Sequence, residues 1–388
     1  MTNSTTMIAA RTEADEQAPE AGVHMPDLLG PWALMWRKFR RHRVAYLSLW
    51  VVGFIYAMAL FGEFLATTDI QETNRRAPFA PPMSVQLLVN KEDGSRGFLL
   101  HAKGLKLTVD PVERRRTFVE DPDKVIPLGF FVKGFEYKLL GLIPMDRHFF
   151  GPVNPRDRVY FWGADRLGRD IFSRIVMGTR ISMSIGLVGV AVSLIVGVSL
   201  GGISGYYGGW VDNAIQRLIE FLRSIPTIPL WMGLAAAIPL DWPPLRTYFV
   251  VTIIVSMIGW TSLAREVRGK FLSLRGEDFI TAARLDGLND WEVIRRHMVP
   301  SFASHIIASL TLAVPLMILA ETSLSFLGIG LQPPIVSWGT LLKEAQNIRT
   351  IIQAPWLLIA PGSVIVAAVL ALNFLGDGLR DAADPHAH

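Results

Sequence analysis

The chain has 388 residues, 51% of them apolar and only 19% charged, with a mean hydropathy of +0.34. That balance is too apolar for a soluble protein of two or three ordinary domains and points to a polytopic membrane protein. The net charge of +4 and the pI near 9.4 do not signal nucleic acid, because the basic residues flank apolar runs and read as topology signals. With no cysteine, disulfides and thiolate-bound metals are excluded.

Residues 1–31 are polar and lack the apolar core of a signal peptide, so a disordered cytoplasmic tail is expected. Residues 32–66 combine Arg37, Lys38, Arg40, Arg41 and Arg43 with an apolar run from Val44 to Leu65, long enough for a first span. The basic block holds the N-terminus inside, so this span leads outward. Residues 67–165 are richer in proline and charge, with strand-like runs at Val85 to Val89, Phe98 to His101, Lys124 to Lys133 and Tyr137 to Ile143. Asp93-Gly94 between the first two is a hairpin signal, and a β-rich extracytoplasmic insertion is expected here. Arg114, Arg115 and Arg116 do not oppose that placement, because long loops cross regardless of charge. Arginines and aromatics such as Phe118, Phe130, Phe131 and Tyr137 could form interface anchors or the insertion's own small core.

The region 166–380 reads as a five-helix core. Span two is expected at Ile181 to Gly202, with Gly189, Ser193, Gly197, Gly201 and Gly205 repeating every fourth residue. Such a stripe admits close helix packing, more readily inside one bundle than between two copies. Ser224 to Leu240, Tyr248 to Leu263, Phe302 to Leu319 and Trp356 to Leu375 supply spans three to six, with Pro315 and Pro361-Gly362 expected to break the last two. Six spans return the tail 381–388 to the cytoplasm and leave Arg265, Arg268, Lys270 and Arg275 inside.

Between spans four and five, in the loop 265–300, the stretch Asp278 to Pro300 parses as two short helices around a glycine. Phe279, Ala282, Ala283 and Asp286 form one stripe, and Gly287 can take a left-handed cap. Asn289 with Glu292 can form a capping box, Trp291, Ile294 and Met298 share a face, and Pro300 follows.

This segment resembles the cytoplasmic coupling loop of ATP-binding-cassette (ABC) importer permeases, keeping Ala282, Ala283 and Gly287 but carrying Thr281 in place of the usual glutamate. The likeness extends to the C-type permease subunits of oligopeptide and dipeptide importers (the peptide, nickel and opine group). Gly163, Asp165, Gly168, Arg169 and Asp170 resemble that family's GTDxxGRD signature. Ser204 to Asp212, Ala320 to Trp338 and Asn373 to Asp384 resemble three further motifs in order. The likeness covers about residues 34–66 and 160–385 and carries no function into the insertion.

The resemblance implies an all-α, six-span membrane protein of the type I ABC importer kind, in a bacterial inner membrane and surrounded by lipid. It implies a homologous second permease, two ABC ATPase subunits and a periplasmic substrate-binding protein as partners. Thr281, Ala282, Ala283, Gly287, Ile294 and Pro300 become candidates for ATPase coupling. The cargo would be a peptide or similar small polar solute, with nickel, opines and oligosaccharides also open. No phosphate-gripping P-loop occurs, so catalysis is expected on the partner ATPases, with ATP and magnesium there and no cofactor on this chain. His297 and His305 lack metal-site company, Glu220 and Arg223 read as a packing ion pair, and Glu321 could meet solute or an interface. An ion-coupled secondary transporter is the alternative, but it would call for carboxylates at mid-membrane.

Overall fold

The computed structural model of the chain describes residues 30–90, 96–109, 116–239 and 241–383. The expected tail up to residue 29, the Asp93-Gly94 turn, Arg114, Arg115 and residues after 383 lie outside the described residues. Helix α1 (Pro31–Arg41) leads into α2 (Arg43–Leu60) and the single turn α3 (Gly62–Leu65). Pro31 opens α1 at a position where its missing N–H costs nothing.

Four antiparallel strands follow in the order β1 (Val85–Asn90), β2 (Arg96–Val109), β3 (Arg116–Leu139) and β4 (Ile143–Pro152). The long β3 pairs with β2 over its first half and with β4 over its second. Ala102, Ile126 and Leu128 on the sheet pack on Ala80, Val159 and Tyr160 of the flanking loops, closing a small core. The apolar run Tyr137 to Ile143 is not one strand: Leu139 pairs with Ile143 across a turn in which Leu140 and Gly141 adopt positive φ.

Five described helices are long and apolar enough to cross a membrane: α2, α4 (Ile171–Tyr207), α7 (Pro244–Leu274), α10 (Ala303–Phe326) and α13 (Trp356–Ala383). Of the segment expected as span three, Ser224 to Leu240, only apolar α6 (Thr227–Ala236) is helical beyond Ser224, and it is ten residues long; the amphipathic α5 (Gly209–Ser224) precedes it. Pro226, with no N–H to donate, separates them. Conversely, α10 runs through Pro315 and α13 through Pro361 without interruption, so the expected breaks do not form. Both prolines are buried against neighbouring helices, whose packing holds the chain in line. Helix α4 begins well before Ile181, because the Asp170 side chain accepts from the Ser173 N–H at 2.8 Å and caps it.

The small-residue stripe of α4 faces α7. A β-carbon on Gly197 would stand 3.0 Å from Leu263, and one on Gly205 would stand 2.6 Å from Phe271. Gly189 and Ser193 extend the same seam toward Ser256 and Gly259. The two helices run in the same direction, since Tyr248 near the start of α7 donates to Ser184 of α4 at 3.0 Å. Helix α10 runs the opposite way, from Phe302 beside Phe271 to Glu321 beside Ser182. At the last helix, Trp356 donates to the Ala164 carbonyl at 3.0 Å, while Gly378 packs directly on Ala45 of α2. The bundle thus has two distinct ends: one carries the sheet, and the other carries α1, the close of α13 and the loop between α7 and α10.

Candidate functional site

At that second end, α8 (Asp278–Leu285) and α9 (Asp290–Val293) fold against the bundle. Gly287 sits at φ +82°, a conformation that a β-carbon would strain, and Asn289 and Glu292 close a reciprocal capping box. A π-helical turn, Ile294–Met298, leads on to Pro300 and α10. Ile280, Ala283, Val293, Ile294 and Met298 are buried against Tyr206, Val267 and Phe271. Tyr206 also donates to Asp290 at 2.6 Å, and Arg284 lies over its ring at 5.0 Å.

The faces differ from those read in the sequence. Of the stripe Phe279, Ala282, Ala283 and Asp286 only Ala283 is buried, alongside Ile280, and Trp291 parts company with the buried Ile294 and Met298. Of the six candidate coupling residues, Thr281, Ala282 and Gly287 are exposed, as is Pro300, while Ala283 and Ile294 are buried. Phe279, Leu285 (83% exposed) and Trp291 add large apolar surface beside them. An apolar patch on a rigid, capped turn can be gripped from outside.

On the side of the bundle, α6, α7 and α10, with Ser193 of α4 and Arg380 of α13, line an open cleft of about 770 Å³. Its walls are mainly apolar, with Ser193, Trp231, Ser262, Glu266, Ser309 and Arg380 among the residues facing it. The Ser193 hydroxyl and the Trp231 indole N–H are buried there without a hydrogen-bond partner among the described residues. Glu266 accepts from Ser309 at 2.8 Å, and His305 stands 3.8 Å away. Glu321, by contrast, does not reach solute: it is wholly buried, accepting from Ser325 at 2.7 Å, Ser337 at 2.8 Å and Ser182 at 3.4 Å. Glu220 pairs with Arg217 rather than Arg223, which donates to Ser262 of α7. His297 belongs to no group of potential metal ligands among the described residues.

The motif before α4 forms a buried clasp at the sheet end. Gly163 and Gly168 have φ of +79° and +74°, with Trp356 and the Asn74 carbonyl where β-carbons would project. Asp165 accepts from Arg169 at 2.6 Å and from Arg174 at 2.5 Å. Both guanidiniums also donate to Glu344, at 3.0 and 2.9 Å, just past α11 (Trp338–Lys343) and before the short α12 (Ile348–Gln353). Asp170 is fully buried, and that burial pushes its carboxyl up to about 6 against the opposing hydrogen bonds from Ser173 and Thr67. Arg174 and Glu344 are not legible as site residues in the sequence, since they are 170 positions apart. Nor are Asp212 and Arg268, which pair through two 2.6 Å bonds and tie α5 to α7 beside Tyr206.

Long apolar helices beside a lateral cleft, with an exposed apolar turn at one end, are the build of a multi-pass membrane protein. Residues 197–388 match the family described as the binding-protein-dependent transport system inner membrane component. Residues 30–82 match the N-terminal TM domain of oligopeptide transport permease C. The chain is 41% identical over 226 residues to the glutathione transport system permease protein GsiD of Pectobacterium atrosepticum, spanning 58% of this chain and 72% of that one. It is 29% identical over 352 residues to the dipeptide transport system permease protein DppC of Lactococcus lactis, spanning 91% of this chain and 90% of that one. Among solved structures it is similar to the inward-facing MetNI methionine ABC transporter, with a TM-score of 0.42, 17% identity, and 55% of this chain and 98% of that chain covered. The chain belongs to the family of binding-protein-dependent transport system inner membrane components. The Lactococcus alignment is too long to omit the whole of residues 67–165, so at least one relative carries matching sequence in the insertion.

Proposed function

We propose that this chain is the permease subunit of a peptide importer, forming one wall of a pathway completed by a homologous second permease. Two ATPase subunits with ATP and magnesium grip the α8–α9 turn from the cytoplasm, and a periplasmic binding protein delivers solute at the sheet end. The observation that carries this reading is the exposed apolar turn formed by Phe279, Ala282, Leu285, Gly287 and Trp291 at the end of the bundle opposite the sheet.

The direction of the helices supports a six-crossing topology. Because α4 and α7 run in the same direction, residues 208–243 must return between them, and α5 with α6 is the element available for that sixth crossing. The broken helix is about 39 Å long at 1.5 Å per residue, enough for a hydrocarbon core of about 30 Å. Arg37, Lys38, Arg40, Arg41, Arg275, Arg295 and Arg296 cluster at the α8–α9 end, which argues for that end inside and the sheet outside. A binding-protein-fed, peptide-type cargo follows from the relatives' named transport systems.

The test is reconstitution of this permease with its second permease and ATPases in vesicles, followed by peptide uptake from binding protein. ATP should drive accumulation with the proton and sodium gradients collapsed. Uptake driven by an ion gradient without ATP would overturn the reading in favour of a secondary transporter.

A further inference from the structure

The lateral cleft follows the helices over most of the membrane's depth. On α10 it is lined from His305 to Ser323, a stretch of about 27 Å at 1.5 Å per residue. That is close to the hydrocarbon thickness of about 30 Å. Its volume of about 770 Å³ is that of a small-ligand site, in which apolar walls carry a few placed polar groups.

Toward the α8–α9 end, polar groups in the cleft find partners within the chain. Glu266 accepts from Ser309 at 2.8 Å, and Ser262 accepts from Arg223 at 3.1 Å. Deeper in, two donors do not. The hydroxyl of Ser193, a residue only 2% exposed, and the Trp231 indole N–H have no partner among the described residues. Ser193 lies opposite Gly259, about 10 Å along α7 from Glu266. A β-carbon on Gly259 would meet both the Ser193 oxygen and the Met317 methyl. The hydroxyl thus borders the end of an unbranched, flexible side chain, which an entering group can displace without moving backbone. The missing partner tells what the cleft takes. An indole nitrogen only donates, so the occupant must carry an acceptor into a largely apolar groove. Lipid acyl chains carry none, and a bare metal cation finds no group of potential ligands there among the described residues. A peptide backbone offers a carbonyl acceptor at every residue. Ile258, Leu312 and Leu316 flank the donors and can accept varied side chains without selecting for charge. Two neutral hydrogen bonds also hold a cargo loosely enough to release it.

We propose that this cleft is a transit site for peptides, in which Ser193 and Trp231 donate to backbone carbonyls of the cargo within the membrane. The site rests on the importer reading and adds to it the groups that hold the cargo between the two sides.

Ser193→Ala and Trp231→Phe, combined in one chain, remove both donors and keep most of the packing. The variant is reconstituted with the second permease and ATPases, and the binding protein delivers a pool of di- and tripeptides whose accumulation is read by mass spectrometry. Peptide taken up per ATP hydrolysed should fall about ten-fold. A lesion of the fold lowers uptake and hydrolysis together and leaves their ratio. The chain's lack of cysteine permits a second measurement on otherwise unaltered protein. Leu316→Cys carrying a benzophenone should cross-link peptide during turnover, whereas Leu47→Cys, on the exposed face of α2, should not. If the double variant hydrolyses no ATP, the cross-link decides alone. An unchanged uptake ratio would overturn the proposal and leave the importer reading standing. So would adducts at position 316 that contain only lipid or only the second permease, which would make the cleft a lipid or subunit contact. Wild-type protein that takes up no peptide on ATP would remove the importer reading, and the site with it.

Discussion

Gly205 of α4 and Phe271 of α7 are packed so closely that a β-carbon on the glycine would lie 2.6 Å from Cβ of the phenylalanine. It would also lie 2.7 Å from the Arg268 carbonyl, so backbone as well as side chain would have to move. Gly205→Val should therefore destabilise the bundle by about 1–3 kcal/mol, the usual cost of overpacking. Gly53→Ala, whose β-carbon would meet no described atom within 4 Å beyond its own stretch of helix, should be neutral to slightly stabilising. Thermal unfolding of the two variants in detergent checks the contrast.

The clasp at Asp165 makes a second prediction. Removing its charge leaves Arg169 and Arg174 facing each other with Glu344 as their remaining acid partner in the cluster. Asp165 is fully buried, so Asp165→Asn should cost about 3–5 kcal/mol, as for other broken buried pairs. Glu344 is partly exposed, and Glu344→Gln should cost distinctly less. The order of the two melting temperatures is the measurement.

Coupling should separate along the two faces of α8 and α9. Leu285→Asp or Trp291→Asp should abolish ATPase association and transport while leaving the permease folded, because both side chains are exposed. Ala283→Arg should instead disrupt the core around Phe271 and lower the amount of folded protein. Gly287→Val should lose coupling through strain at φ +82°, and Thr281→Ala should be mild. Co-purification of the ATPase, scored against permease recovery, distinguishes the two classes. Normal ATPase binding by Leu285→Asp would remove the docking assignment.

Asp170 predicts a pH dependence. Its carboxyl titrates near 6 in the fold, against 3.8 ordinarily, so the fold favours the protonated form. That contribution is fully present below about pH 4, is lost as pH rises through 6, and amounts to roughly 3 kcal/mol. Wild-type protein should thus lose stability between about pH 4 and 6 from this group, whereas Asp170→Asn should flatten that part of the profile. Unfolding midpoints of both proteins across the window are the check.

The apolar runs announce the long helices, because lipid-length hydrophobicity is a local property that composition displays directly. The stripe from Gly189 to Gly205 is legible for the same reason: its period fixes one helix face, although the sequence does not say that α7 fills it. The faces of α8 and α9 come out differently from the sequence pattern, since eight residues give too short a period to fix which side is buried. The turn at Leu140-Gly141 is hidden because an apolar turn imitates a strand. Glu321 looks available from its place near a helix end, but Ser182, Ser325 and Ser337 come together around it only after three segments fold. Partnerships between distant residues, such as Arg174 with Glu344, leave no mark in either neighbourhood.

The packing of Gly378 on Ala45 has a consequence for biogenesis. Helix α2, made early, finds the neighbour for its inner half in α13, the last described helix, so the ring of helices cannot shut until α13 is made. Through most of synthesis, Ala45, Ser48 and Val52 face lipid or a chaperone instead of protein. A nascent chain stalled before α13 would carry an open seam that membrane quality control can recognise, and release of α13 from the ribosome would be what seals it.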